Sequence, residues 1–319
     1  MSMIVQMFPA AMLVAAPIIV ASLGGLFSER SGVVNIALEG IMMVGAFTAA
    51  TACVLLQDVP GIGPYSAWIG CGLAIITGTI YSTLLAVSAI NLKADQTIAG
   101  TAVNMLSTGL CVYLCQIIFG QQRTVAFRTG ISKIKEVPFL ADIPILGDAL
   151  FKDIYPTIYI AFFLVIVVHI VINHTAFGLR LKSCGENPHA AASVGINVYK
   201  IRWIGVLLSG AFAGLAGALL VLTSSIQFTA SSIHGVGFIA VAALIFGKWK
   251  AWGVLAAGGF FGFFNAVGTY SSLIPLLNKI PTEFFSCVPY VFTVLALILF
   301  SGKTVAPKAE GQIYDQGKR

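Results

Sequence analysis

A carboxylate inside an apolar run is the first place where this sequence suggests chemistry. Glu39 follows Gly32-Val-Val-Asn-Ile-Ala-Leu and precedes Gly-Ile-Met-Met-Val. In a helix starting near residue 33 it lies about 10 Å deep at 1.5 Å per residue. An ionisable group at that depth of a membrane is costly and is a functional candidate by default. The alternatives are a hydrogen bond to a neighbouring helix and a protonated side chain near the interface. Asn35, Asn104 and Asn265 also sit within or at the ends of apolar segments. Each either lines a polar path or ties helices together, the latter being the commoner role. Thr97, Thr101 and Asn104 recur at i, i+4 and i+7 and put a polar stripe on one helix face, as a water-facing wall requires. These six residues are the candidates for a translocation pathway.

Other chemistries find little footing. The histidines at 169, 174, 189 and 234 make no H-E-x-x-H pattern, so no metal site is expected. Cys53, Cys71, Cys111, Cys115 and Cys287 sit in apolar runs and Cys184 in a polar loop; Cys111 and Cys115 are four apart rather than C-x-x-C. They read as small buried hydrophobes. A phosphate-cradling loop needs G-x-x-x-x-G-K-[ST]. At Gly302-Lys303-Thr304 the required upstream glycine is Leu297. The chain is therefore expected to bind no cofactor and to hydrolyse no ATP itself.

The elements that must position these residues follow from composition. The 319 residues are 58% hydrophobic and 9% charged, with mean hydropathy +0.95. Soluble domains carry about 25% charged residues, and so few charges cannot cover a water-facing surface of this size. A soluble enzyme, a disordered chain and a nucleic-acid binder are excluded, and a polytopic membrane protein remains. At about 20 apolar residues per crossing, spans are expected at 6–27, 33–56, 65–90, 97–119, 155–173, 203–223, 251–270 and 284–301. The shorter stretch 235–247 reads as a broken or tilted crossing. The expected fold is all-α, a polytopic transmembrane helical bundle of about nine spans, with eight to ten the range. No positive charge precedes the first segment, which argues against a cleaved signal and for a retained span.

Orientation follows from Lys and Arg. With 174–202 in the cytoplasm and strict alternation, the inside receives Arg30, Lys93, Arg180, Lys182, Lys200, Arg202, Lys248, Lys250, Lys303, Lys308, Lys318 and Arg319, twelve residues against six outside. The N-terminus is then outside and the C-terminus inside. The domain plan is one permease domain over 1–305, with an extracytoplasmic loop at 120–154 and a cytoplasmic loop at 174–202, and a cytoplasmic tail at 306–319. Gly210, Gly214 and Gly217 share one helix side, and Gly258 with Gly262 another, which suits close helix packing. The strings at 32–42 and 235–245 share Gly, Val, Ile and Ala at matching places. By the alternation they run in opposite directions, as in an inverted repeat.

The loop carries the sharpest signal. Asn187-Pro188 reads as a helix start, with Asn capping and Pro at the first position; a short Ala-rich helix follows, ended by Gly195 and Asn197. Such a helix is closely approachable and suits docking into a partner's groove. G-L-R-L-K-S-C-G-E-N-P-H-A-A-A-S-V-G-I-N at 178–197, L-S-G-A-F-A-G-L-A-G-A-L-L at 208–220 and G-L-F-S-E-R-S-G-V-V-N-I-A-L-E-G at 25–40 resemble the permease subunits of bacterial ABC importers for branched-chain amino acids, ribose and nucleosides. A-D-Q-T-I-A-G-T-A-V-N at 94–104, I-P-I-L-G at 143–147 and G-F-I-A-V-A-A-L-I-F-G-K-W at 237–249 are closest to the purine-nucleoside branch. The resemblance implies a type II importer permease in the bacterial inner membrane, surrounded by lipid and paired with a second permease or a copy of itself. Two cytoplasmic ATPase subunits would hold ATP and Mg, and a substrate-binding lipoprotein would deliver nucleosides from outside. It also implies that Gly185, Glu186, Asn187, Pro188, Ala190, Ala191, Gly195 and Asn197 form the ATPase-coupling segment. Ribose-like sugars and branched-chain amino acids are the alternative substrates. An ion-coupled secondary carrier using Glu39 is the rival class.

Overall fold

In the computed structural model, residues 3–136, 152–233, 235–270, 284, 287–288, 291 and 306–317 are described. The chain is built from α1 (Met3–Arg30), α2 (Leu38–Leu56), α3 (Ser66–Ala86), α4 (Gln96–Phe119), α5 (Pro156–His174), α6 (Ala176–Glu186), α7 (Pro188–Ser193), α8 (Val198–Ser224), α9 (Val236–Phe246) and α10 (Ala251–Tyr270). Seven helical segments among the described residues are long and apolar enough to cross a membrane, and α9 is a shorter apolar helix. They match seven of the expected spans to within a few residues; the segment 284–301 lies largely outside the described residues. The connection between α4 and α5 adds an antiparallel two-stranded ladder, β1 (Ile134–Glu136) with β2 (Lys152–Ile154).

Local chemistry sets the helix ends. The Asp95 carboxylate accepts the N–H groups of Thr97 and Ile98 at 2.9 and 3.0 Å and starts α4, and Gly120, at φ +67°, ends it. Pro156 occupies the first turn of α5, where its missing N–H costs nothing.

α8 is the central post, packed against α1, α2 and α3. A β-carbon on Gly214 would fall on the backbone of α3, one on Gly210 on the Ser82 side chain and the Gly78 carbonyl of the same helix, and one on Gly217 on the Met42 backbone of α2. Gly258 and Gly262 meet Ile19, Ala11 and Ala15 of α1 in the same way. Without a hydrophobic drive between helices in lipid, such contact is what holds them together. Cys53, Cys71, Cys111, Cys115 and Cys184 are buried, as small hydrophobes should be; Cys287 is exposed.

Among the described residues, Glu39 apart, the charges separate to two ends of the bundle. At one end Arg30 donates to the Trp249 carbonyl at 2.8 Å, Arg202 to the Gln312 carbonyl at 3.0 Å, and Lys93 pairs with Asp315 at 3.0 Å. This basic end gathers the α1–α2 and α3–α4 connections, α6, α7, the α9–α10 turn and residues 306–317. At the opposite end the segment after α4, with Arg123 and Arg128, closes over the ends of α2 and α8: the Arg128 N–H donates to Gln57 at 2.8 Å, and the Thr124 and Phe127 N–H groups to the carbonyls of Phe228 and Ile226.

Candidate functional site

Two helices begin in the middle of the bundle instead of at its ends. After α1, the chain turns at Gly32, φ +93°, and residues 33–35 have no regular secondary structure, so α2 starts only at Leu38. Its level can be read on α8. Asn35 donates to Ser209 Oγ at 2.7 Å, and Gly217 lies against Met42. Ser209 and Gly217 are about 10 and 22 Å beyond Arg202 at 1.5 Å per residue, so Glu39 sits close to half-way. The expectation of a helix from residue 33, with Glu39 about 10 Å deep, is thus corrected. Extended residues advance about 3.3 Å each, roughly twice the helical rise, and carry the carboxylate deeper.

α9 begins at the same level. Gly235 turns at φ +81°, and the Glu39 carboxylate receives two backbone donors there: Gly235 N–H to Oε1 at 2.8 Å and Gly237 N–H to Oε2 at 2.7 Å. It therefore caps α9 while lying in the first turn of α2, where the helix dipole also favours an anion. A β-carbon on Gly237 would stand 2.5 Å from the Glu39 Cα, so the two N-termini meet through a glycine. Asn104 completes the joint: its Oδ1 accepts the Gly40 N–H at 2.7 Å and its Nδ2 donates to the Ile36 carbonyl at 2.9 Å. These hydrogen bonds of Glu39 and Asn104 join the start of α2 to α9 and α4. Asn35 is fully buried, and its Oδ1 has no hydrogen-bond partner among the described residues.

The paired strings at 32–42 and 235–245 are brought together here, but not as equivalent backbone. Both open on a left-handed glycine; the first stays non-helical until Leu38, and the second is helical from Val236. The structure places the other pathway candidates elsewhere. Thr97 and Thr101 are exposed on α4, joined by a bond from Thr101 Oγ1 to the Thr97 carbonyl at 2.7 Å, and Asn265 is exposed on α10. Sequence reasoning missed Ser209, Gly235 and Gly237; the Gly-Val-Gly spacing at 235–237 was the available signal.

The second constellation lies at the basic end. Asn187 Oδ1 accepts the Ala190 N–H at 3.0 Å, with Pro188 at the first position of α7. Gly195 turns at φ +85°, while Asn197 caps α8 by accepting the Lys200 N–H at 3.0 Å, instead of closing α7. The eight loop residues face two ways. Gly185, Pro188 and Ala191 are buried, and a β-carbon on Gly185 would strike the Arg30 carbonyl. Asn187, Ala190, Gly195 and Asn197 are exposed, joined by Val194 at 74% exposure, and Glu186 is half-buried. Residues 306–317, set apart as a tail in the sequence, clasp this region: the Ala309 N–H donates to the Gly185 carbonyl at 2.8 Å and the Gly311 N–H to the Gly32 carbonyl at 3.3 Å. Burial pushes the Glu310 carboxyl above its ordinary value, against the opposing pull of a hydrogen bond with Glu29 and the Arg30 charge. Glu29 in turn accepts the Trp249 indole N–H at 2.6 Å. Burial raises the Cys184 thiol to about 11 and keeps it unreactive.

A bundle of apolar spans with helix starts meeting half-way across, and non-helical backbone leading to each, is the construction of a membrane transport protein. Residues 7–297 match the family described as branched-chain amino acid transport system / permease component. The chain is 44% identical to the guanosine ABC transporter permease protein NupQ of Bacillus subtilis, over 98% of this chain and 97% of that one. It is 40% identical to the nucleoside ABC transporter permease protein NupC of Lactococcus lactis, over 98% of each. A second Bacillus subtilis protein, the guanosine ABC transporter permease protein NupP, is 27% identical over 91% of this chain. The chain belongs to the branched-chain amino acid transport system permease family and is a multi-pass membrane component of a transporter, not an enzyme.

Proposed function

We propose that this chain is the permease subunit of an ATP-driven importer that takes up nucleosides by alternating access. The observation that carries this reading is the near full-length similarity to two permeases named for guanosine and nucleoside transport, at 44% and 40% identity. The basic end faces the cytoplasm under the positive-inside rule, with the N-terminus outside and the C-terminus inside. A second permease completes the pathway, a substrate-binding lipoprotein feeds it from outside, and ATP with Mg is bound in separate ATPase subunits. Those ATPases dock on the exposed face of α7, where Asn187, Ala190, Val194, Gly195 and Asn197 stand clear of the bundle.

Within the pathway, Glu39 has a positional role. Its carboxylate fastens the start of α2 to that of the short α9, so that a tilt of α9 against α2 moves the non-helical segments on either side of the joint together. A neutral nucleoside needs no counter-charge there.

The test is reconstitution in liposomes with the second permease, the ATPase and the lipoprotein. Uptake of labelled guanosine should require ATP and be competed by nucleosides, with ribose and leucine ineffective. Accumulation by this chain alone, down a proton or sodium gradient, would reverse the assignment in favour of a secondary carrier.

A further inference from the structure

A cavity of about 420 Å³ lies between the basic ends of α1, α5 and α6 and the α9–α10 turn, away from both the mid-bundle joint and the α7 face. Arg30, Lys182 and Lys250 line it together with His169, Trp249 and Trp252, and among the described residues no Asp or Glu does. The carboxylates whose charges act on Arg30, Glu186 and Glu310, are outside the lining. Lys182 donates to Asn173 Oδ1 at 2.7 Å, a neutral acceptor. Burial, and then the Arg30 charge, hold the Lys182 ammonium below its ordinary value. Like charges are gathered here without a counter-ion on the cavity wall, an arrangement that an anion stabilises.

The turn that presents Lys250 is strained. Lys248 and Trp249 have φ of +52° and +51°, a conformation that bulky residues hold only when their surroundings fix them. The surroundings do so: the Trp249 indole is bonded to Glu29 and its carbonyl to Arg30. The cavity also sits where helices leave the membrane, between the last residue of α1 and the first turn of α10. Trp252 is 51% exposed beside it, as an indole at the headgroup level is. From there an apolar track runs along α5, where Phe163, Ile166 and Ile170 are exposed at i, i+3 and i+7.

We propose that this cavity is a binding site for an acidic phospholipid, with the phosphate held by Arg30, Lys182 and Lys250 and the acyl chains laid along α5. A basic pocket between transmembrane helices is suited to such headgroups, and the apolar track selects a lipid over a soluble phosphate. The inference needs only a membrane-embedded chain and is independent of the transported substrate.

Trp249 and Trp252 supply the site's readout; Trp68 and Trp203, the other two tryptophans, lie away from the cavity, so the difference in quenching between the two lipids is the signal. The full chain in detergent micelles is titrated with brominated phosphatidylglycerol or brominated phosphatidylcholine, and tryptophan quenching is followed. Phosphatidylglycerol should quench at the lower mole fraction. The Lys182→Gln/Lys250→Gln variant should lose about twenty-fivefold in affinity for it, about fivefold per lysine, and respond to phosphatidylcholine as the parent does. Lys93→Gln, whose cation lies elsewhere in the pair with Asp315, should keep the preference. Equal quenching of the parent by the two lipids would overturn the proposal. So would full displacement of brominated phosphatidylglycerol by millimolar inorganic phosphate, which would make the site one for a free anion. Both of those measurements use the unsubstituted chain and stand even if the double variant fails to fold.

Discussion

Replacing Glu39 separates a helix-tying carboxylate from a proton-carrying one. In the structure it receives two backbone N–H groups at 2.8 and 2.7 Å, both at the start of α9. A hydrogen bond to a charged group contributes about 1.5–3 kcal/mol. Glu39→Ala removes both bonds and strands two donors where no water reaches easily, so a loss of about 3–6 kcal/mol is expected. The close approach of Gly237 to the Glu39 backbone leaves little freedom for a rearrangement that would recover the bonds. Glu39→Gln keeps a carbonyl oxygen for one donor but turns an amide NH₂ toward the other. Its expected loss is about half, roughly 1.5–3 kcal/mol. Unfolding of the purified chain by urea in detergent micelles gives the ranking parent, Gln variant, Ala variant. Uptake in the reconstituted importer should follow the same order, the Gln variant retaining measurable transport. An Ala variant within 1 kcal/mol of the parent would refute the capping argument. A Gln variant of full stability with no uptake would refute it differently, by assigning Glu39 to proton or ion coupling.

The remaining predictions concern the packing post and the basic end. Gly217→Leu places a side chain against the Met42 backbone and should abolish accumulation of folded protein, checked by fluorescence-detected size exclusion; a normal monodisperse peak would contradict the α2–α8 contact. Ala190→Trp, on the exposed face of α7, should leave the protein folded in the membrane and abolish ATP-dependent uptake, measured in the reconstituted importer. Normal uptake would remove the docking assignment, whereas a bulky residue at buried Gly185 should disturb the Arg30 and tail contacts instead. The clasp of residues 306–317 should depend on pH. The Glu310 carboxyl is raised in the docked state, so docking takes up a proton; the clasp is strongest below the ordinary carboxylate value and weakens as pH rises through the raised one. Hydrogen-exchange protection at 306–317, taken relative to the intrinsic rate at each pH, should accordingly be greater at pH 5 than at pH 8, and Glu310→Gln should flatten that difference.

Hydropathy located the crossings because an apolar run long enough to span a bilayer has few other fates. It could not locate the helix starts within them. Residues 33–37 and the opening of α2 are equally apolar, and a window average treats extended and helical backbone alike. The marks that distinguish them are the left-handed Gly32 and Gly235, two glycines among 33 in the chain. That blindness set the depth of Glu39 too shallow. It also left the role of Glu39 open, because its donors lie 196 and 198 positions away and only the packing of α9 against α2 brings them near. The α7 loop was legible for the opposite reason. Asn187, Pro188 and Gly195 act on neighbours a few residues off, so their chemistry is written locally; what the local pattern omits is the direction each residue faces, and Gly185 and Ala191 turn inward against α1, the tail and the bundle. The polar stripe on α4 shows the same division. Its period is in the sequence, but whether it meets water, lipid or another helix is decided by what packs beside α4. Asn104 turns to the joint while Thr97 and Thr101 face out, and helical spacing alone fixes only that they share a side.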